Sequence, residues 1–434
     1  MANEWPYVPI SKLATVIIGG TPSRNVPEYW NGDVPWATAK EIAGVSCRYL
    51  EGVAECITQE GLENSAAKIL PKGTIVITAR GTVGSIAQLG RAMAFNQTCY
   101  ALLPKDSLEN DFLFYAMKGT KAEIQSLTYG TVFETITTQT FDHWLIPLPP
   151  LPEQRAIAHI LGTLDDKIEL NRRMNETLEA IARAIFKSWF IDFDPVRAKA
   201  EGRDPDLPKH IADLFPDSFE RSELGKIPSG WRIRQIGEVA TCVGGSTPST
   251  KEPSYWEDGS IPFVTPKDMS QLVAPIIIGA ERFITGLGAE KISSGVLPSG
   301  VVLLSSRAPI GYMAITTTPV SINQGIIALI CNGLIPRSYA FGWIEANMER
   351  IKAYAGGTTF AEISKGNFRN MLAVIPPAEI LLQYSSIFET CLGVIINNEL
   401  ECKTLISIRD TLLPKLMSGE IRIKDAERFV ERIT

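Results

Sequence analysis

One segment of the sequence occurs twice, as GGTPSRNVPEYWNGDVPWATAKE at residues 19–41 and as GGSTPSTKEPSYWEDGSIPFVTPKD at residues 244–268. The match continues in LPKGTIVITARGTVG at 70–84 and LPSGVVLLSSRAPIG at 297–311. Shared residues further along keep one offset, because 307 − 80, 323 − 96 and 357 − 130 all equal 227. A single offset over this length indicates a duplicated domain. It persists to Leu178 and Leu405, so the segment that follows each copy is duplicated as well.

Each globular copy has patterns typical of a mixed α and β domain in which strands dominate. Residues 74–78 and 301–304 are β-branched or apolar and are bounded by Gly and Pro, as buried strands are. Each copy ends in a strand interrupted by proline, at 144–152 and at 371–379, and proline suits the first turn of a following helix. We therefore predict an α+β fold with two β-rich domains, each followed by a long helix.

The segments after the two domains carry a stripe of mostly apolar residues in alternating steps of four and three, which is typical of a coiled-coil seam. The stripe runs from Ile157 to Trp189 and again from Tyr384 to Leu416. Each helix packing only on its own domain is the alternative. We favour pairing, because a stripe of about five heptads is longer than a small domain covers. Asn171 and Asn398 hold equivalent stripe positions, and their amides would meet in antiparallel helices and also in parallel helices that are in register. We expect the antiparallel arrangement, because it holds the two domains apart.

These patterns predict a division of the chain into six parts. In order they are a first domain at 1–150, a long helix at 151–191, a connector at 192–222, a second domain at 223–377, a second long helix at 378–418 and a tail at 419–434. The connector is rich in Pro, Asp and charged residues, so it runs along the surface. A simple tether and a docking role are equally open for it.

Charge and composition limit the classes of function. The 434 residues carry a net charge of −6, which weighs against a simple basic DNA-binding protein. Residues 1–150 have 11 Lys+Arg and 14 Asp+Glu, and residues 223–377 have 13 and 11, so neither domain is strongly basic. Any DNA binding must therefore use a local patch, or a partner must supply much of the affinity for the backbone.

Several other classes find no support in the sequence. No uninterrupted run approaches the roughly 18 apolar residues of a membrane span, and the N-terminal residues do not resemble an export signal. The seven scattered cysteines include no C-x-x-C pair, which is typical of reduced thiols in a cytoplasmic protein. His143, His159 and His210 are too scattered for a metal cluster or a catalytic triad, and no phosphate-binding G-x-x-x-x-G-K-[ST] loop is present.

The order of the segments resembles the specificity subunits of type I restriction–modification systems, over essentially the whole chain. The most specific marks are LPEQR at 151–155, WFIDFDP at 189–195 and the second domain opening with PSGWRIRQIGEVA at 228–240. The second helix departs from the pattern, because Pro377-Ala378-Glu379 replaces the Pro-Glu-Gln start.

This resemblance implies a subunit that reads a split site on double-stranded DNA, with one part for each domain and an unread spacer set by the helices. It implies two modification subunits that bind S-adenosylmethionine and methylate adenine, and restriction subunits that bind ATP and Mg²⁺. This chain would carry neither activity, and no catalytic residue, cofactor or metal is expected in it.

The repeat sorts the candidate DNA-binding residues, because a residue shared by both copies cannot alone make them read different bases. For the cation pairs Lys40/Lys267 and Arg80/Arg307, phosphate contact and a structural ion pair or carbonyl cap remain open. Asn96-Gln97 and Asn323-Gln324 suit adenine edges, although turn-stabilising amides are the favoured interpretation. Gly130-Thr131 and Gly357-Thr358 mark tight turns, with a backbone amide to phosphate as the alternative. For Tyr29-Trp30 and Tyr255-Trp256, core packing is favoured over base stacking.

Specificity should lie where the copies differ. Arginine and lysine suit guanine, and asparagine and glutamine suit adenine, through paired hydrogen bonds in the major groove. The candidate base readers are Arg24, Asn25, Arg48, Gln88 and Arg91 in the first copy and Lys251, Gln271 and Tyr312 in the second.

Two other functions stay open on the sequence alone. One is a scaffold that uses the helix pair only to join proteins. The other, less favoured, is a fused DNA methyltransferase or nuclease whose motifs are not recognisable. Binding of S-adenosylmethionine by the isolated chain would favour the enzyme, and a DNA affinity that is independent of sequence would favour the scaffold.

Overall fold

The structure, a computed structural model, divides the chain into two compact units. The residues that it describes are 5–45, 48–121, 135–307, 309–356, 361–421 and 423. Unit 1 comprises residues 1–171 and 401–434, and unit 2 comprises residues 172–400. Each unit therefore contains one copy of the repeat with parts of both long helices, whereas the predicted boundaries kept each helix whole.

Unit 1 is built from short strands and short helices. Its strands are β1 (Tyr7–Pro9), β2 (Ala14–Ile18), β3 (Trp30–Ala37), β4 (Tyr49–Leu50), β5 (Glu55–Ile57), β6 (Ile75–Thr78), β7 (Ile86–Leu89), β8 (Ala94–Phe95), β9 (Cys99–Pro104) and β10 (Leu145–Pro147). Its short helices are Ile10–Leu13, Ala39–Gly44, Gln59–Glu63, Asn110–Gly119 and Thr140–His143, with a 3-10 turn at Pro27–Tyr29. The strands form a five-stranded sheet in the order β2-β9-β6-β7-β4, a three-stranded sheet in the order β5-β3-β8, and the pair β1-β10.

The central strand β6 shows how the apolar run of this domain is used. All four of its residues are buried. Ile75 and Ile77 enter the core that also contains the helix Asn110–Gly119, whereas Val76 enters a second core on the opposite face of the sheet. Successive side chains on a strand point to opposite faces, so a sheet covered on both sides needs an uninterrupted apolar strand.

Unit 2 repeats this design. Its strands are β11 (Phe219–Ser222), β12 (Gly225–Pro228), β13 (Arg232–Gln235), β14 (Thr241–Gly244), β15 (Ile261–Val264), β16 (Ile276–Ile277), β17 (Arg282–Ile284), β18 (Val302–Ser305), β19 (Met313–Thr316), β20 (Ser321–Ile322), β21 (Ile326–Ile330) and β22 (Leu372–Ile375). Its short helices are Asp194–Ala200, Lys209–Ala212, Ile236–Val239, Pro266–Ser270, Gly286–Ala289, Arg337–Ala346, Met348–Ala353 and Lys365–Arg369, with a 3-10 turn at Pro253–Tyr255. The sheet orders β14-β21-β18-β19-β16, β17-β15-β20 and β13-β22 match those of unit 1 strand for strand, and the hairpin β11-β12 is additional.

The long helices are Leu151–Phe190 and Ala378–Met417, each of 40 residues. They run antiparallel within both units. In unit 1, Ile168 lies beside Cys402 and Asp165 beside Arg409, so the numbering falls on one helix as it rises on the other. In unit 2 the Tyr384 hydroxyl donates to the Ala182 carbonyl at 3.4 Å.

The predicted stripe is the buried face of these helices. At most about a tenth of the residue surface remains exposed at Ile157, Leu161, Leu164, Ile168, Asn171, Asn175, Ala182 and Trp189 on the first helix, and at Tyr384, Phe388, Cys391, Ile395, Asn398, Cys402, Leu405, Leu412 and Leu416 on the second. The predicted fold class is therefore confirmed: two β-rich α+β domains with a pair of long antiparallel helices.

The second long helix is apolar enough, and long enough, to meet the length and composition criteria for a membrane span. Polar residues interrupt the apolar residues of this helix, so no continuous apolar run is present in the sequence. Much of its apolar character is explained by packing, since Ile380, Leu381 and Tyr384 lie in the core of unit 2 and Leu405 and Leu412 lie in the core of unit 1.

The connector packs against unit 2 instead of serving only as a tether. Val196 and Phe215 are buried in the core of that unit. The Phe215 ring meets the Trp189 ring edge to face at 5.3 Å, and Phe193 meets Trp231 in the same way at 5.6 Å. The aromatic residues of the segment 189–195 are thus explained by this cluster.

Candidate nucleic-acid interface

The shared Asn-Gln pair stabilises a turn in both units. Asn96 Oδ1 accepts hydrogen bonds from the Thr98 amide at 3.2 Å and the Thr98 hydroxyl at 2.8 Å. Gln97 Oε1 accepts from the Thr21 hydroxyl of the Thr-Pro-Ser segment. These contacts agree with the structural interpretation of the pair, although the Gln97 side chain remains exposed.

The same arrangement recurs in unit 2. Asn323 Oδ1 accepts from the Gly325 amide at 2.9 Å, and Gln324 Oε1 accepts from the Thr247 hydroxyl at 2.7 Å. The Gln–Thr bond therefore joins the two halves of each repeat motif. Any contact of Asn96, Gln97, Asn323 or Gln324 with DNA stays a prediction.

The shared lysines lie in the first turn of a short helix that is capped identically in both units. Thr38 caps the helix of Lys40, and Thr265 caps the helix of Lys267, each through a capping box. Both lysines are exposed. Lys267 Nζ donates a 2.6 Å hydrogen bond to the Glu281 carboxylate, and this bond raises the pKa of the lysine. The equivalent of Glu281 in the first copy is Ala54, so that particular ion pair is not repeated.

The shared arginines lie in the turn between two central strands. Arg80 follows β6 and is exposed, and Arg307 follows β18 and is half-buried. Arg307 is 3.8 Å from Glu362, a loose and partly exposed ion pair. The shared Thr131 and Thr358, with the glycines before them, lie outside the described residues.

Two of the predicted base readers prove to be structural residues. Arg48 is 2 % exposed and Gln88 is fully buried, and the Arg48 Nε donates to Gln88 Oε1. Asp111 lies 2.5 Å from the Arg48 guanidinium and accepts a 2.9 Å bond from Gln88 Nε2. Burial alone would raise the pKa of Asp111, but these hydrogen bonds outweigh it and hold the pKa below its usual value. The prediction that Arg48 and Gln88 read bases is wrong, because packing of β7 against the helix Asn110–Gly119 encloses both side chains.

The remaining divergent candidates lie at or near the surface. Asn25, Arg91, Lys251 and Gln271 are exposed, and Tyr312 is half-buried against the core of its domain. Their proposed contacts with bases stay predictions.

Arg24 belongs to a cluster built around Trp30. The guanidinium lies 3.6 Å from the centre of the Trp30 ring, and its two terminal nitrogens donate to the Glu55 carboxylate at 2.6 and 2.8 Å. The hydrogen bond raises the pKa of Arg24 and lowers that of Glu55. The indole is itself held, because its Nε1 donates to the Ser23 carbonyl at 3.1 Å and its ring meets Trp36 edge to face.

Unit 2 contains an equivalent cluster that the sequence patterns did not reveal. Trp256 Nε1 donates to the Ser249 carbonyl at 3.0 Å, and its ring meets Phe263 edge to face at 5.2 Å. Here the guanidinium over the ring belongs to Arg282, at 3.8 Å from its centre. One feature of the sequence could have indicated this cluster. The first copy has Glu55 where the second copy has Arg282, and both copies share the tryptophan.

The asparagines of the helix seam are buried, but each has a partner other than the one predicted. Asn398 Nδ2 donates to Asn175 Oδ1 at 2.8 Å within unit 2, and Asn171 Nδ2 donates to Glu401 Oε2 at 2.6 Å within unit 1. The predicted pairing of Asn171 with Asn398 is therefore corrected. The register brings Asn398 opposite Asn175, one helical turn beyond the expected residue.

Gln154 of the LPEQR segment ties the start of the first long helix to the domain before it. Its Oε1 accepts from the Glu109 amide at 2.8 Å, and its Nε2 donates to the Pro149 and Ser107 carbonyls. The equivalent residue in the second copy is the buried Leu381, which explains why the motif is not repeated there.

Comparison with known proteins identifies the class of protein that this fold represents. The family described as "Type I restriction modification DNA specificity domain" matches residues 2–180 and again residues 228–401, which together are most of the chain. The chain belongs to this family, and it is a type I restriction–modification specificity subunit with two DNA-recognition domains.

Similar proteins support the same assignment. The specificity subunit of type I restriction enzyme MjaIX from Methanocaldococcus jannaschii is 29% identical over 431 residues, covering 98% of this chain and 95% of that protein. The HindI specificity subunit from Haemophilus influenzae is 30% identical over 340 residues, covering 67% of this chain and 72% of that protein. The crystal structure of a type I S subunit from M. genitalium aligns with a TM-score of 0.56 at 18% identity, over 95% of this chain and 96% of that chain, and it supports the fold.

Proposed function

We propose that each domain reads one part of a two-part site on double-stranded DNA. The observation that carries this proposal is the repetition of a complete domain, with the same sheet orders and a separate family match for each copy. The copies share the residues that build the fold and differ in exposed side chains, such as Arg24 and Asn25 in one and Lys251 in the other. Two copies with one scaffold and different surfaces suit two different short sequences.

We further propose that the long helices set the length of the unread spacer and bind the partner subunits. At 1.5 Å per residue, a helix of 40 residues is about 60 Å long, more than the ~34–36 Å between successive major-groove faces of B-DNA. The partners are two modification subunits, which would bind S-adenosylmethionine, and restriction subunits, which would bind ATP and Mg²⁺. The chain itself is non-catalytic and cytoplasmic.

An exchange of domains tests the division of labour. Residues 1–150 are replaced with the corresponding domain of a relative, and the variant is assembled with its modification subunits. Methylation mapping should show a change in one half of the site, because the second reader is untouched. Exchange of residues 223–377 is the matched control and should change the other half. A change in both halves from one exchange would contradict the two-reader proposal.

Calorimetry separates this proposal from the two alternative functions. The isolated chain should not bind S-adenosylmethionine, whereas the complex should. Binding by the isolated chain would favour a fused methyltransferase. A complex whose DNA affinity does not depend on sequence would leave the scaffold as the explanation.

A further inference from the structure

In each domain a guanidinium group lies over the ring of the shared tryptophan, Trp30 or Trp256. The arginine that supplies it comes from a different position of the repeat in each copy. Arg24 follows Ser23, and the residue that follows the equivalent Ser249 is Thr250. The second copy thus lacks the first arginine, and it instead has Arg282 at the position of Glu55. The guanidinium over the indole is kept by this exchange, whereas the carboxylate that neutralises it is lost.

This difference changes which hydrogen-bond donors each cluster presents. Both terminal nitrogens of Arg24 are taken by Glu55. Arg282 is exposed, and in the part of the chain that the structure describes it has no acidic partner within ion-pair distance. It lies on β17, which is an edge strand of the sheet β17-β15-β20 as formed by the described residues.

Stacking leaves the guanidinium competent for recognition. A cation–π contact uses the face of the group, whereas its N–H donors lie in the plane and point outward from the edges. The contact with Trp256 also restricts the side chain, so less conformational freedom is lost when the donors bind. A planar, ordered fork of this kind matches the O6 and N7 acceptors of guanine in the major groove.

We propose that Arg282, ordered by Trp256, reads a guanine in the part of the DNA site assigned to the second domain. In the first domain, Glu55 withholds Arg24 from the equivalent contact. This inference rests on the proposed function, that each domain reads one part of a split site. It makes Arg282 a specificity-determining residue and Trp256 a positioning residue.

The test compares methylated motifs of complexes that contain wild-type chain, R282A or R282K. Each complex is assembled with its modification subunits and given a randomised DNA library. R282A should lose discrimination at one guanine-containing base pair by about ten- to hundredfold, the range expected for a lost bidentate contact. R282K should restore it only in part, because a lysine can bond guanine but lacks the planar fork of donors.

Matched controls make the outcomes distinct. K291A removes an exposed cation from the same domain, outside the candidate DNA-binding residues, and should leave the motif unchanged. E55A frees Arg24 and should add a guanine preference in the other half of the site. Thermal unfolding checks that each variant is folded.

Two results would overturn the inference. One is an unchanged motif for R282A, and the other is a loss of discrimination that falls on an A·T base pair instead of a guanine-containing pair. If the wild-type complex shows no two-part motif, the proposed function itself fails, whatever Arg282 does.

Discussion

At the scale of single residues, the duplication reveals where the two units have diverged in their interiors. In unit 1, Arg409 lies 2.6 Å from the buried Asp165, which also accepts a 2.8 Å bond from the Tyr115 hydroxyl. The equivalent residues in unit 2 are Ala182, Leu392 and Gly342. These residues line a cavity of about 280 Å³. The same place in the fold therefore holds a buried ion pair in one copy and, in the other, small or apolar residues that line a partly open cavity.

The buried ion pair of unit 1 should be costly to break and less costly to replace. In a Y115F background, which leaves no hydroxyl stranded, R409A should reduce the free energy of unfolding by about 3–5 kcal/mol, because the buried Asp165 carboxylate loses the guanidinium beside it. The double variant D165L/R409A carries the leucine and the alanine that unit 2 has at the equivalent positions. It should recover much of the stability lost in R409A. Urea unfolding, with hydrogen exchange in the helix Asn110–Gly119 as the reporter for unit 1, measures the difference. If the double variant loses as much stability as the two single variants together, Asp165 and Arg409 are not energetically coupled.

At the scale of elements, the helix pair combines an apolar stripe with a few buried amides. Asn175, Asn398 and Asn171 find partners across the seam at 2.6–2.9 Å, so their burial is compensated by hydrogen bonds. Buried polar pairs fix the register of a coiled coil at some cost in stability, because a shifted register leaves them without partners. The observed register is therefore expected to be specific.

A whole heptad inserted in each helix tests whether the pair sets the spacer. Seven residues that repeat the local heptad are added beside Asn171 and again beside Asn398, which keeps the stripe in phase. Each helix grows by ~10.5 Å, about three base pairs at 3.4 Å. The methylated site should keep both half-site sequences and gain a longer spacer. Binding should weaken, because three base pairs rotate one half-site by roughly 100° around the duplex.

Insertion into one helix alone is the control for that experiment. It shifts the stripe of one helix past its partner, so the variant should lose stability and activity. If the double insertion changes the half-site sequences while the spacer length stays constant, the helices are not the ruler. The connector at 192–222 would then be the next element to examine.

At the scale of the whole molecule, the charge predicts how much of the affinity for DNA this chain supplies. Its net charge is −6, and several exposed cations are neutralised by nearby acids, as Arg24 is by Glu55 and Lys267 by Glu281. When a protein binds the DNA backbone, the logarithm of its binding constant falls linearly as the logarithm of the salt concentration rises. The slope is about −0.9 for each phosphate that the protein neutralises. We expect a shallow slope and weak binding for the isolated chain, and a markedly steeper slope for the complex with modification subunits. Equal slopes would show that this chain alone makes the backbone contacts.

The architecture of this protein can be predicted from its amino-acid sequence. The constant offset of 227 residues defined two copies, the apolar runs predicted strands such as β6 and β18, and the stripe of heptads predicted a pair of long helices. The periodicity of apolar residues depends on which side chains must be buried together, so it can be read from the sequence. A duplication shows the same burial pattern twice.

Which polar residues are available at the surface becomes clear only when the chain is folded. Arg48 and Gln88 differ between the copies and looked like base readers, yet they are enclosed by a neighbouring helix. Asn398 faces Asn175 because the register is set by packing along the whole seam, and Arg282 reaches Trp256 from a strand that lies far away in the sequence. Sequence patterns indicate that a side chain is polar or divergent, but burial and pairing depend on residues brought together through space.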